Sequence, residues 1–312
     1  MFEQIIEEAD YVVANSKSVT IHYDKIDPLF EELKQFQHKH YLLNNPFGMM
    51  DLTIEQQVNF LLIYDSIIFS FWGNPKWSIV VENELFDGSY ALLYCLLTMF
   101  KEHEAVFQWI QTASDDELRN IFKGTVEIPL LQERISILKN ISQIVMEQMG
   151  GNFYLAVKEK QTDTELFAYL ISNFPNLEDE RFYLNHSIPF YKLGQLLTSD
   201  ILHLREYSEK KPMIYSNLVG CADYKIPQVL NNLGILEYSH ELINHILEKK
   251  ELPENHEWEV EIRASMLVVI DDIYQKLGAT IPRIDINDFL WSKGTMKQKT
   301  DHPYHLTRTT NY

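Results

Sequence analysis

LVGCADYKIPQVLNNLGILEYS, residues 218–239, is the stretch from which the rest of the chain is read. A turn of small residues (Gly220, Cys221, Ala222) leads into Asp223, and a helix-like run follows Pro227 and stops at Gly234. Proline is tolerated best in a first helical turn, and glycine just past a helix end. Asp223 therefore falls at or just before a helix N-terminus, where free N–H groups favour an ionised carboxylate. Asp is also a preferred N-cap residue, so the same position fits a purely local capping role.

Outward from this stretch the pattern is helical on both sides. PFYKLGQLLTSDILHLREY (189–207) precedes it, and HELINHILEKK and EWEVEIRASMLVVIDDIYQKL follow, the latter closed by Gly278. The clearest helix is PLLQERISILKNISQIVMEQM, opened by Pro129 and ended by Gly150 and Gly151. Further helices are expected over 3–15, 26–40 and 163–173, and after the turn at 86–90 as far as Lys101. Thr53 and Ser114 each stand three residues before Gln56 and Glu117, the capping-box pattern. From Thr53 the helix is expected to run toward Trp72, with Asp65 on its apolar stripe, where a lone carboxylate is costly without a partner. SVTIHY (18–23) alternates as a strand does, and WSIVV is a second strand candidate. The fold class is mainly α with a few short β-strands. No repeat, low-complexity tract or long linker divides residues 1–312, so one compact unit is expected, compatible with two lobes around a central cleft.

Composition narrows the function. Against 45 acidic residues stand 27 Lys and Arg, a formal charge of −18, which argues against a duplex DNA or RNA binder. A small phosphorylated ligand needs only a few local donors and stays open. Cys95 and Cys221 read as small buried residues of a reducing compartment. No CxxC or HExxH spacing occurs, so neither a metal nor another cofactor is expected. The N-terminus lacks the pattern of a secretory signal, and the most apolar run, residues 60–72, is shorter than the ~20 residues that span a bilayer. A cytoplasmic protein with no membrane partner is expected; oligomeric state is not readable.

ADYKIPQVLNNLG (222–234) resembles the signature of the queuosine salvage family, the queuosine 5′-phosphate N-glycosylases/hydrolases. Other segments match it in the same order along nearly the whole chain. His40 precedes LLNNP where the family has a base-contacting His, with one residue of spacing different, so His38 is an alternative. DSIIFSFW (65–72) is similar to D-x-x-N-F-x-F-W, with Ile68 in place of the Asn. IPLLQERISIL (128–138) resembles P-L-x-x-E-R-x-x-I-L, with Glu133 and Arg134 read as an internal ion pair. PFYKLGQLL (189–197) resembles F-Y-K-x-x-Q-L. VEIRASM matches an E-I-R-A segment whose Glu261 and Arg263 read as structural. FLWSKG and HPYHLTRTTNY match the C-terminal patterns, except that Asn287 stands where the family has Asp, with Asp288 one place later.

The resemblance implies a compact helical fold like that of helix–hairpin–helix DNA glycosylases. It also implies hydrolysis of queuosine 5′-monophosphate to the 7-deazaguanine base queuine and ribose 5-phosphate. Asp223 would then be the carboxylate beside the sugar, stabilising an oxocarbenium-like state or attacking it. His40, Cys221, Asn287, Asp288 and Trp291 would contact the base, Cys221 replacing an aromatic of some relatives, and Asp285 is an alternative reader of the base edge. Lys192, His305 and Arg308 would hold phosphate or ribose. Lys192, near a helix N-terminus, opposes the helix dipole unless an anion binds there. Two other classes remain: a nucleic-acid enzyme on the same scaffold, and a queuine-binding or helical interaction protein without turnover.

Overall fold

A computed structural model describes residues 1–36, 40–44, 47–295 and 301–312. In chain order the elements are α1 Phe2–Asn15, β1 Val19–Ile21, α2 Pro28–Gln35, α3 Ile54–Ser66, β2 Ser78–Val81 and β3 Glu84–Asp87. Then come α4 Gly88–Glu102, α5 Val106–Thr112, α6 Asp115–Ile121, α7 Leu131–Met149, α8 Phe153–Val157 and α9 Asp163–Asn173. They are followed by β4 Glu180–Tyr183, β5 His186–Pro189, α10 Lys192–Glu209, α11 Lys225–Asn232, β6 Leu236–Tyr238 and α12 His240–Leu247. The last are β7 Glu251–Leu252, α13 Glu257–Lys276, α14 Arg283–Thr295 and β8 Leu306–Thr307. The fold is mainly helical. Among the described residues the strands pair only two by two: β1–β6, β2–β3 and β4–β5 antiparallel, β7–β8 parallel.

Both capping boxes form. Thr53 accepts from Gln56 N while the Gln56 side chain returns to Thr53 N, and Ser114 and Glu117 do the same. Gly150 and Gly234 take positive φ at or just past their helix ends, as expected of glycine there. The helix from Thr53 is shorter than its pattern suggests, however: α3 stops at Ser66 and the chain runs on irregularly to Trp72. The reason is Arg134 on α7, wholly buried, whose guanidinium donates to the carbonyls of Ile67 and Phe69 and, through Nε, to Pro129 O at 3.0 Å. It also lies 4.2 Å over the Phe69 ring. Arg134 therefore binds the backbone after α3 and makes no ion pair with Glu133 among the described residues, which corrects the internal-pair reading. Pro129 and Pro189 fall before their helices, Pro189 inside β5.

Two apolar clusters make the core. The first joins α3, α4, α5, α7 and α8; the second joins α1, α2, α11, α13 and α14. α9 belongs to both, through Leu166 on one side and Phe167 on the other. α10 packs against α3 and α9, and its first turns face the cavity described next.

Candidate active site

The loop before Asp223 has no regular structure, so its backbone polar groups need other partners. Side chains from surrounding helices supply them. Asp163 at the start of α9 accepts from Asn217 N at 2.7 Å and Leu218 N at 3.3 Å. Gln195 on α10 accepts from Val219 N at 2.9 Å and Gly220 N at 3.3 Å. Asn287 on α14 accepts from Cys221 N at 2.9 Å. Arg263 on α13 donates to Ala222 O at 2.8 Å. Arg263 is itself held by Asp179 and stacked between the rings of Phe190 and Tyr312, 4.0 and 4.3 Å from its guanidinium carbon. Four helices thus clamp one loop, a rigid base for the carboxylate that follows.

Asp223 is both a cap and a cavity residue. Its Oδ1 accepts from Lys225 N at 2.7 Å and Ile226 N at 3.1 Å, at the start of α11. Its Oδ2 accepts nothing from the described residues, and the side chain lines a cavity of about 440 Å³. Burial raises the Asp223 carboxyl above the usual aspartate range, while Lys192 and the two amides pull it back. Lys192, Leu196 and Asp200, spaced by four on α10, present one helix face to the same cavity. Lys192 and Asp200 are 6% and 2% exposed, so their charges act in a poorly hydrated setting. Asp200 accepts from Tyr41 Oη at 2.7 Å and His40 Nε2 at 3.0 Å. Asp288 and Trp291 enter from α14, with the Trp291 ring 5.8 Å from that of Tyr41. Lys225 and Lys76, the latter paired with Asp87 at 3.2 Å, bring positive charge to the wall, and the rings of Tyr224 and Tyr304 lie 4.6 Å apart, tilted by 36°. Among the described residues no cluster of His, Cys, Asp and Glu could hold a metal ion.

Aromatic walls, a clamped carboxylate and a few converging charges suit a small polar ligand with a flat ring. Comparison with known proteins narrows this further. Residues 49–312 match the family model described as queuosine salvage protein. The chain belongs to the queuosine salvage protein family. It is 29% identical to the Queuosine 5′-phosphate N-glycosylase/hydrolase of Sphaerobacter thermophilus, over 96% of this chain and 95% of that relative. It is 27% identical to the mouse (Mus musculus) protein of the same name, over 98% of both chains. For the Schizosaccharomyces pombe protein, also so named, the figure is 21%, over 92% of this chain and 90% of the relative.

In this queuosine salvage protein the fold brings together Asp223, Cys221, Lys192, Asn287, Asp288 and Trp291, all on the cavity wall. Their positions differ in kind. Asn287 is 4% exposed and spends its oxygen on the Cys221 amide and its Nδ2 on Asp288 Oδ1 at 3.1 Å. Lys192 acts on Asp223 and Cys221. His40 lies one layer back, behind Asp200, and His38 is outside the described residues. Asp285 faces His203 at 3.7 Å and is not on the cavity wall. Two residues expected at phosphate, His305 and Arg308, are not on the cavity wall. His305 is buried, with Nε2 3.4 Å from Tyr312 Oη, and burial followed by the nearby Arg263 lowers its imidazole to about 3, so it is neutral near pH 7. Arg308 pairs with Glu251 at 2.9 Å on the surface and covers the Trp72 ring. Asp200 and Tyr41 were not singled out from the sequence; the two four-residue steps from Lys192 through Leu196 to Asp200 were the available signal.

Proposed function

We infer that this protein hydrolyses the N-glycosidic bond of queuosine 5′-monophosphate, releasing queuine for salvage into tRNA. The observation that carries the reading is Asp223: a carboxylate on a clamped loop, one oxygen fixed by two amides and the other open to a nucleotide-sized cavity, in a chain aligned end to end with glycosylases/hydrolases. Breaking the C1′–N bond places positive charge on the sugar. A fixed carboxylate in a poorly hydrated site stabilises that charge without reorganisation, and its free oxygen can orient or deprotonate the attacking water. Lys192 favours the ionised form of Asp223 and so opposes the effect of its burial.

The base leaves with negative charge. Queuine is a 7-deazapurine with carbon in place of N7, so the usual protonation at N7 is closed. Its six-membered ring must be engaged instead, and we assign its guanine-like N–H groups to Asp200 and Asp288, with Trp291 and Tyr41 against the ring. Asn287 and His40 then position Cys221, Asp288 and Asp200 and need not touch the base. The phosphate falls to Lys225 and Lys76 on the cavity wall, Lys76 exchanging its partly exposed pair with Asp87 for the phosphate, since His305 is uncharged and both it and Arg308 lie off that wall. We propose one glycosylase unit with two lobes, working in the cytoplasm without a cofactor; no described helix is long and apolar enough to cross a membrane.

The test is queuine release by purified protein, followed by chromatography with mass detection on queuosine 5′-monophosphate, queuosine and GMP. Release from the monophosphate alone is expected, with Asp223→Asn losing ~10²-fold or more of kcat. Queuine binding without turnover of any substrate would leave a binding protein instead.

A further inference from the structure

Asp65, the penultimate residue of α3, is fully buried, and neither carboxyl oxygen has a hydrogen-bond partner among the described residues. A charged carboxylate does not survive such a place; it pairs or takes a proton. Among the described residues it makes no ion pair or hydrogen bond. From α10, Asp200 and Lys192 act on it with opposite signs. Tyr41 lies ahead of it in the chain and Tyr64 on its own helix, and both phenols are pushed up by burial first and by neighbouring carboxyls next. From α4 the Ser89 carbonyl accepts from Tyr64 Oη at 3.2 Å. α7 brings Arg134 to the carbonyls of Ile67 and Phe69, where its donors are used. Asp200 has both oxygens occupied by donors, His40 Nε2 and Tyr41 Oη.

We propose that Asp65 works as an uncharged acid beneath the cavity: while it keeps its proton, Lys192 is left to Asp223, and its ionisation switches the site off. The physical reason is charge count. An ionised Asp65 would add a second negative charge beside Asp200, compete with Asp223 for Lys192, and oppose the charge developing on the departing base. Burial and the Asp200 charge both hold the proton on Asp65, in that order. The inference rests on the glycosidase reading, because it assigns Asp65 an effect on that reaction; its uncharged state can be tested separately.

The experiment is the pH dependence of kcat on queuosine 5′-monophosphate for wild type, Asp65→Asn and Asp65→Leu. Infrared difference spectra of wild type against Asp65→Asn would be recorded alongside. The wild type should lose activity on the alkaline side. Asp65→Asn, neutral at every pH, should keep activity at pH 7 and retain ~10-fold more than wild type at the alkaline end, the size expected of one added charge in a poorly hydrated site. Asp65→Leu should follow it. The spectra should show the carbonyl stretch of a protonated carboxylic acid at neutral pH, lost in Asp65→Asn. An alkaline limb that is the same in wild type and Asp65→Asn would overturn the proposal, as would absence of that band. If the band is present but wild type releases no queuine, the glycosidase reading fails and the uncharged acid stands without an effect on that reaction.

Discussion

Asp223 and Asp65 are both raised above the usual carboxylate range by burial, and their neighbours separate their roles. Asp223 has two backbone amides and Lys192 to restore its charge, while Asp65 has no hydrogen bond among the described residues and has Asp200 beside it. The difference has a stability consequence with a definite sign. Asp65 in the folded protein binds a proton that the unfolded chain has already released above the ordinary aspartate range. Its contribution is therefore complete below that range and lost as pH rises toward its folded value. Asp65→Asn removes this titration. Its stability relative to wild type should grow with pH by up to ~1.4 kcal/mol per pH unit across that window, read from urea unfolding at several pH values. A difference that is flat with pH would mean Asp65 is ionised in the folded state.

At the level of elements, the loop from Asn217 to Asp223 decides whether the site exists. It has hardly any regular hydrogen bonding of its own, and Asp163, Gln195, Arg263 and Asn287 hold it from four helices. Gly220 within it has φ near +130°, and an added Cβ would come 3.1 Å from Ile270 Cδ1 and 3.4 Å from Leu267 Cδ2. Gly220→Ala is expected to cost about 1–3 kcal/mol of stability. Displacing Asp223 by as little as ~1 Å should lower kcat by ~10²-fold, with a smaller change in KM. Thermal melts and steady-state kinetics on the variant check both, and an unchanged kcat in a destabilised protein would show that the loop can shift without moving the carboxylate.

Over the whole molecule, the charge of −18 sets what can approach. Affinity for duplex nucleic acid comes mostly from Lys and Arg neutralising phosphates, and this surface has the opposite sign. The positive groups that do reach the cavity, Lys76, Lys192 and Lys225, are few and local, enough for one phosphate. Fluorescence anisotropy with duplex DNA and with tRNA at low salt should show no binding. A complex that forms there and weakens as salt is added would favour a nucleic-acid enzyme.

The local features were legible in the sequence because they depend on neighbours along the chain. The capping boxes at Thr53 and Ser114, the glycine stops at Gly150 and Gly234, and the place of Asp223 at the head of a short helix all rest on contacts within a few residues. The ordered segments that match the queuosine salvage family were legible for the same reason, since a motif is a local string. The end of α3 was not, because Arg134 reaches it from 67 residues away and binds its carbonyls better than another helical turn would. Nor was the fate of the polar residues in those motifs. Asn287 bonds the Cys221 amide 66 positions away, His305 is neutral because of burial and the nearby Arg263, and Arg308 pairs with Glu251. Residue type and spacing state what a side chain can do. Which partner it meets, and how much water is left around it, is settled only when distant helices pack, and burial then decides which groups of this site keep their charge.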